Sequence, residues 1–124
     1  MRNCVFCNPP EDRVVLSNDL AYVLWDGFPV TRLHSLVIPR RHAEDYFSLN
    51  SEELLACDDL LRRARENVTR NDPSIEGFNI GVNVGEAAGQ TIFHCHLHLI
   101  PRRTGDVVNP RGGVRHIIPG KGAY

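Results

Sequence analysis

The segment F-H-C-H-L-H-L, residues 93–99, alternates apolar side chains with histidines. In an extended strand alternate side chains share a face, so the pattern predicts a strand with His94, His96 and His98 on one face and apolar side chains on the other. A single surface histidine would need no explanation, but three in strict alternation favour a chemical role. Neutral imidazole is a nucleophile and a proton carrier near pH 7, so this face suits nucleophilic or acid–base chemistry.

One long helix is predicted before this strand, over residues 51–70. Asn50 can act as its N-cap, and Glu53 lies three positions later, as in a capping box. Apolar residues recur at helical spacing and predict one buried face: Leu54, Cys57, Leu61, Ala64 and Val68. Asp72-Pro73 ends the helix, because the residue before a proline disfavours helical geometry.

Other short apolar runs predict the rest of the sheet: residues 13–16, 20–25, 35–38 and 78–84. Ser17-Asn18-Asp19 favours a turn, so the first two runs form a hairpin. Strands, one helix and further strands indicate an α+β fold, an antiparallel sheet with one long helix packed on it. We expect a single domain over residues 1–124, with an irregular Gly/Pro-rich tail at about 104–124 that contains at most one short strand, Val114–Ile118.

Composition limits the classes of function. The 124 residues are 42% hydrophobic and 23% charged, which is typical of one globular domain. A net charge of -1 gives no general attraction to nucleic acid, so a local anionic ligand is favoured over a long polyanion. No apolar run approaches the roughly 18 residues of a membrane helix and no leader pattern is present, so we expect a cytoplasmic protein with no membrane partner.

The cysteines predict a metal site. Cys4 and Cys7 form a C-V-F-C pair, which in a reducing compartment favours metal ligation over a disulfide. A tetrahedral zinc ion would need two further ligands, usually histidines. The alternative is a pair of ordinary thiols near the terminus, and Cys57 and Cys95 are predicted to lie in the core.

The histidine segment and its surroundings resemble a known family. H-C-H-L-H-L-I, residues 94–100, matches the H-x-H-x-H-x-x pattern of the histidine-triad (HIT) family, and residues 85–102 resemble the family signature throughout. Residues His34 to Pro39 resemble the family's strand upstream of that signature. The resemblance as a whole covers Cys4 to about Arg103. It implies a HIT-like fold. Leu33 stands where many relatives have glycine, which predicts a different turn beside the nucleotide pocket.

The resemblance also implies roles for individual residues. His96 would be the nucleophile that forms a covalent nucleotidyl intermediate, His98 would bind phosphate, and Asp26 would hold the ribose hydroxyls. Asp26 as a simple turn acid is the alternative. Four residues would face the phosphates, where amide, hydroxyl and backbone N–H donors are needed: Asn83, Gly89, Gln90 and Thr91.

The implied cofactor is a structural Zn²⁺ ion. The residues that match the ligands of zinc-bearing family members are Cys4, Cys7, His42 and His94, and four protein ligands close a site to substrate. The family also implies a homodimer, formed through the helix at 51–70 and the strand at 78–84.

The function that the resemblance implies is hydrolysis at the α-phosphate of a nucleoside, by preference adenosine, linked as a phosphoramidate or a dinucleoside polyphosphate. A nucleotidyltransferase or phosphorylase of the same chemistry, or a non-catalytic nucleotide sensor, are the alternatives. Trp25 is the only tryptophan, so the C-terminal tryptophan of the phosphoramidase branch is absent, while C-x-x-C is unlike the dinucleoside triphosphate hydrolases. The leaving group therefore stays open, as do the roles of His34, His116 and the Arg111–Arg115 run.

Overall fold

The computed structural model describes residues 3–124 and centres on a five-stranded antiparallel sheet. Its strands are β1 (Leu16–Ser17), β2 (Ala21–Trp25), β3 (Ser35–Pro39), β4 (Gly77–Gly81) and β5 (Leu97–Arg102). They lie in the order β1-β2-β3-β5-β4, and one helix, α1 (Ser51–Asn71), packs on one face. The predicted α+β fold with one long helix on an antiparallel sheet is confirmed.

Helix α1 begins as its capping residues predict. The Asn50 side chain accepts a hydrogen bond from the Glu53 N–H (2.9 Å), and the Glu53 carboxylate accepts one from the Asn50 N–H (3.0 Å). Arg41 donates to both carboxylate oxygens of buried Glu53, which lowers the pKa of that carboxyl. The helix start is therefore tied to the turn after β3.

The predicted hairpin forms, but its first strand is shorter than expected. The Asn18 side chain accepts hydrogen bonds from the N–H groups of Leu20 and Ala21, which closes the turn. Residues 11–13 form a 3-10 turn instead of strand, so β1 begins only at Leu16. The tail also differs from the prediction: Gly112 and Gly113 adopt positive φ, and Gly113–Ile117 forms a 3-10 helix instead of a strand.

The histidine segment is not one continuous strand. Of the three histidines only His98 lies in β5, because the chain at Cys95 donates its N–H to the Ala43 carbonyl (2.7 Å) instead of to a strand. The predicted strand at 78–84 likewise ends at Gly81, and residues 82–85 lead into a short 3-10 helix at 86–88. The predicted strand is therefore wrong at His94 and His96, although the alternation of faces holds: Cys95, Leu97 and Leu99 lie in the core under α1, and the three imidazoles lie on the other side.

The two faces of the sheet carry different residues. The face under α1 is the main core, where Val37 and Leu99 pack with the helix. Cys57 and Cys95 also lie there, and burial raises their pKa values to about 11 and about 12, as expected for unreactive core thiols. The opposite face carries a smaller apolar cluster and His98, which pairs with Leu36 of β3. Among residues 3–124, no helix is both long and apolar enough to cross a membrane.

Candidate metal centre and active site

Four predicted metal ligands meet on the face opposite α1. The N-terminal turn, closed by the Cys7 N–H on the Cys4 carbonyl, brings both thiols toward the chain after β3 and the segment before β5. The Sγ atoms lie 3.3 Å (Cys4 to His94 Nδ1) and 3.1 Å (Cys7 to His42 Nδ1) from ring nitrogens, and the two Nδ1 atoms lie 3.2 Å apart. The four ligand atoms all lie within 4.8 Å of one another.

Ring hydrogen bonding shows that this cluster suits a metal ion. The Nε2–H of His94 donates to the Pro39 carbonyl (2.7 Å), so a neutral His94 ring turns its Nδ1 lone pair toward the thiols. Burial lowers the pKa of His94, which favours this neutral form. Zinc–ligand bonds of about 2.0 to 2.3 Å in a tetrahedron place ligand atoms about 3.3 to 3.8 Å apart, close to the observed spacing. The carbonyl behind the ring is a partner that metal-ligating histidines usually have.

A second cluster lies beside the first and contains Asp26, His34 and His98. Asp26 follows β2 and His34 precedes β3, and the Asp26 N–H donates to the His34 carbonyl, so the two residues face each other. His34 Nε2 lies 2.9 Å from His98 Nδ1 and 3.3 Å from an Asp26 carboxylate oxygen. The histidines are close enough to share a proton, and the carboxylate stands next to both.

The proton positions in this cluster follow from one backbone contact. The Val30 N–H donates to His34 Nδ1 (3.0 Å), so the proton of neutral His34 lies on Nε2 and is donated to His98 Nδ1. His98 then carries its own proton on Nε2, where it can meet a ligand. A metal ion between these side chains would need a lone pair on His34 Nε2, so this cluster is a hydrogen-bond relay and not a metal site.

Burial lowers the pKa of His34, opposed by the charge of Asp26. The pKa of His98 is lowered by burial and by neighbouring His96 and His34, again opposed by Asp26. Both rings are therefore mainly neutral near pH 7, which preserves the relay.

His96 presents the complementary atom. Its Nδ1–H donates to the main-chain carbonyl of His94 (2.9 Å), which leaves the lone pair on Nε2. The His96 and His98 rings lie 5.3 Å apart between centroids. The site thus places an imidazole lone pair beside an imidazole N–H donor, the pair of groups needed to attack a phosphate and to hold its oxygen.

The loop between β4 and β5 differs in part from prediction. Buried Gln90 donates to the carbonyls of Glu44 and Ile92 and accepts from the Gly85 N–H, so its amide fastens the loop instead of facing a ligand. Gly89 adopts the left-handed conformation at φ 92°, and its N–H donates to the Glu86 carbonyl, so it serves the turn. Of the loop residues predicted to face phosphate, Asn83 and Thr91 have exposed side chains.

Residues whose roles were open also have defined places. Leu33 has φ 71°, the left-handed conformation of a glycine, so the turn before His34 keeps a glycine-type backbone that is costly for leucine. His116 donates to the Arg111 carbonyl and Arg115 to the carbonyls of Lys121 and Gly122, so this run bonds within the tail.

Phe6 was not singled out from the sequence, although its position between two cysteines could have indicated it. It is buried and lies beside both His94 and His96.

Comparison with known proteins agrees with this geometry. The HIT domain matches residues 9–105. An uncharacterized 16.1 kDa HIT-like protein from Mycoplasma pneumoniae is 40% identical over 105 residues, which cover 81% of this chain and 72% of the relative. The AP-4-A phosphorylase of Mycobacterium tuberculosis is 36% identical over 100 residues, 77% of this chain and 49% of the phosphorylase.

A solved structure is also similar. The crystal structure of a Zn-bound histidine triad family protein from Mycobacterium smegmatis matches with a TM-score of 0.74 and 33% identity, covering 87% of this chain and 81% of that protein. The sequence match and the shared fold lead to one conclusion: the chain belongs to the HIT domain family.

Proposed function

We propose that the chain is a nucleotide hydrolase that acts at the α-phosphate of a nucleoside phosphoramidate or dinucleoside polyphosphate, with adenosine as the preferred nucleoside. The observation that carries this proposal is the hydrogen bond from His96 Nδ1–H to the His94 carbonyl. Because the ring proton lies on Nδ1, the Nε2 lone pair is available to a ligand. A sensor that only binds nucleotides has no need of such a lone pair. The proposed substrate site is the face shared by His96, His98 and Asp26.

The reaction has two displacements at phosphorus. The His96 Nε2 lone pair attacks the α-phosphorus, and an N–P bond forms as the bond to the leaving group breaks. The leaving group departs with that electron pair and takes up a proton. Water then attacks the nucleotidyl-histidine and loses a proton, which replaces the one that the leaving group took up; the nucleoside monophosphate is released and the lone pair returns to Nε2.

The remaining residues bind and orient. The Nε2–H of His98 donates to a phosphate oxygen, where charge develops during the attack. Asn83 and Thr91 are the loop side chains proposed to add donors. One oxygen of Asp26 accepts from the Phe28 N–H and the other faces His34, and the lone pairs left over are proposed to accept the ribose hydroxyls.

The proposed cofactor is one structural Zn²⁺ ion held by Cys4, Cys7, His42 and His94. The geometry of the four ligand atoms and the Zn-bound relative support it. When bound, zinc supplies a closed crosslink between the N-terminal turn and the segment before β5, and no chemistry on the substrate.

A phosphorylase or transferase is the second candidate, because a relative at 36% identity is named as an AP-4-A phosphorylase. Such an enzyme would pass the nucleotidyl group from His96 to phosphate or another acceptor instead of to water. Incubation of the purified chain with adenosine phosphoramidates and diadenosine polyphosphates, with and without phosphate, separates the candidates by product. AMP formed with or without phosphate supports the hydrolase, and ADP formed only with phosphate supports the phosphorylase. Nucleotide binding without turnover supports the non-catalytic sensor.

His34 is expected to be a positioning residue for His98. His34→Leu removes the Nε2–H donor and should lower kcat roughly ten- to a hundredfold, because His98 is then free to adopt either tautomer. His34→Gln should recover part of the rate, since its amide N–H can donate to His98 Nδ1. Steady-state kinetics with thermal denaturation as a folding control measure this, and a folded His34→Leu variant with wild-type kcat would show that His34 is only structural.

The proposed assembly is a homodimer, as the family resemblance implies. Strand β4 lies at the edge of the sheet, and its Ile80 is 53% exposed, so a second copy would cover an apolar edge. Sedimentation at micromolar concentration is expected to give twice the 14.0 kDa mass of the chain. A species of 14.0 kDa alone would contradict the dimer.

A further inference from the structure

Phe6 lies where the metal ligands and the reactive histidine meet. It is the third residue of C-V-F-C, between Cys4 and Cys7, and its side chain is 7% exposed. The Phe6 ring centroid is 5.9 Å from that of His94 and 5.2 Å from that of His96. The Phe6 carbonyl accepts a hydrogen bond from the hydroxyl of buried Tyr22, so the backbone is fixed as well.

We propose that Phe6 is a positioning residue for His96, and that the metal ligands on either side of it hold it in place. This inference rests on the proposed function only in treating His96 as the nucleophile. It assigns the C-V-F-C turn a second task besides metal binding.

The geometry of His96 explains why a packing partner is needed. Its Nδ1–H bond to the His94 carbonyl sets the tautomer of the ring, but rotation about the Cα–Cβ bond of His96 would break this single hydrogen bond. The Phe6 ring packs against His96 with the centroids 5.2 Å apart and the planes tilted by 54°, so it would resist such a rotation. Attack on phosphorus needs the lone pair held to within a fraction of an ångström, so a contact that limits this motion contributes to rate.

The metal ligands restrain Phe6 from both neighbours. Cys4 and Cys7 each approach His94, whose carbonyl is the partner of His96, so one ligand set restrains both contacts of the nucleophile. Loss of either thiolate ligand would release the loop that carries Phe6. We therefore expect the closure of the C-V-F-C turn and the orientation of the His96 ring to change together.

The test compares two truncations in the same loop. Phe6→Ala removes the contact to His96, whereas Val5→Ala shortens a neighbouring side chain that is 64% exposed and is the matched control. Phe6→Leu keeps apolar volume and serves where Phe6→Ala fails to fold. Each protein is assayed for zinc content, for kcat and KM, and for the ¹⁵N chemical shifts of the His96 ring, which report its tautomer without any turnover.

Phe6→Ala is expected to keep its zinc, to lower kcat roughly ten- to a hundredfold with little change in KM, and to move the His96 ¹⁵N shifts toward the average of two tautomers. Phe6→Leu should give smaller changes in the same direction, and Val5→Ala none. Removing zinc from the wild type with a chelator should produce the same ¹⁵N change.

Unchanged ¹⁵N shifts in Phe6→Ala or Phe6→Leu would overturn the inference. A raised KM with unaltered His96 shifts would do the same, because Phe6 would then contact substrate. If no substrate is ever turned over, the proposed function fails, but the ¹⁵N comparison still decides whether Phe6 and the metal orient His96.

Discussion

Replacing His96 with alanine is expected to lower turnover by at least about a thousandfold, because it removes the atom that we propose attacks phosphorus. Water would have to replace it, and water loses more entropy on reaching the attacking position than a ring already held by the His94 carbonyl. The fold should persist, since the His96 side chain makes no hydrogen bond besides this one among the described residues. Nucleotide affinity should change little, because His98 and Asp26 remain.

The measurement combines kinetics with trapping of the intermediate. Rapid quenching during turnover of labelled substrate should leave label on the wild-type chain, stable in base and lost in acid, as a phosphoramidate is. His116→Ala is the matched control, because His116 is exposed and, among residues 3–124, its side chain hydrogen-bonds only to the Arg111 carbonyl in the tail. A His96→Ala protein with near wild-type kcat would disprove covalent catalysis by His96 and favour direct attack by water.

Removing both thiolate ligands is expected to cause the largest loss of stability. Cys4→Ala with Cys7→Ala leaves two of the four proposed ligands, so the zinc content should fall from one per chain to near zero. Because zinc binds the folded chain, its binding free energy adds to stability, and the melting temperature should drop by at least about 10 °C.

Metal analysis and thermal unfolding test this expectation. Cys57→Ala is the control, since Cys57 is a buried core thiol away from the metal cluster, and it should keep its zinc. Full zinc retention by the double variant, or wild-type protein without zinc after purification from zinc-containing medium, would remove the metal centre from the proposed function.

The long helix and the first hairpin could be predicted because their signals are local. Asn50 and Glu53 define a helix start by their spacing alone, and Asn18 closes the hairpin through its own neighbours. The spacing of Cys4 and Cys7 likewise predicts a pair of metal ligands. Their histidine partners came from the family resemblance, and the structure brings all four together.

The alternation of the histidine segment predicted the two faces correctly but not where the strand begins. The apolar and polar pattern of residues 93–99 is that of a strand, but the Ala43 carbonyl, more than fifty positions earlier, takes the Cys95 N–H. That contact depends on the turn after β3, which the local pattern does not encode. The result is that His94 faces the thiols while His98 remains in β5.

The relay of Asp26, His34 and His98 could not be predicted from local sequence patterns either. It depends on one backbone donor, the Val30 N–H, and on the left-handed turn at Leu33 that sets His34 beside it. A leucine gives no sign of such a turn. Gln90 was predicted to face phosphate because an amide is a suitable donor. In the structure this amide already bonds to backbone groups of Gly85, Glu44 and Ile92.

His94 serves the two sites with different parts of itself, the ring toward the thiols and the main-chain carbonyl toward His96. Every amino acid has that carbonyl, so a substitution can remove the ring without deleting the acceptor that orients His96. A descendant of this chain could thus lose the proposed metal and keep the proposed chemistry, provided that another contact held the backbone at position 94. The proposed catalysis and the proposed metal dependence can then be inherited separately, although both involve His94 in this chain.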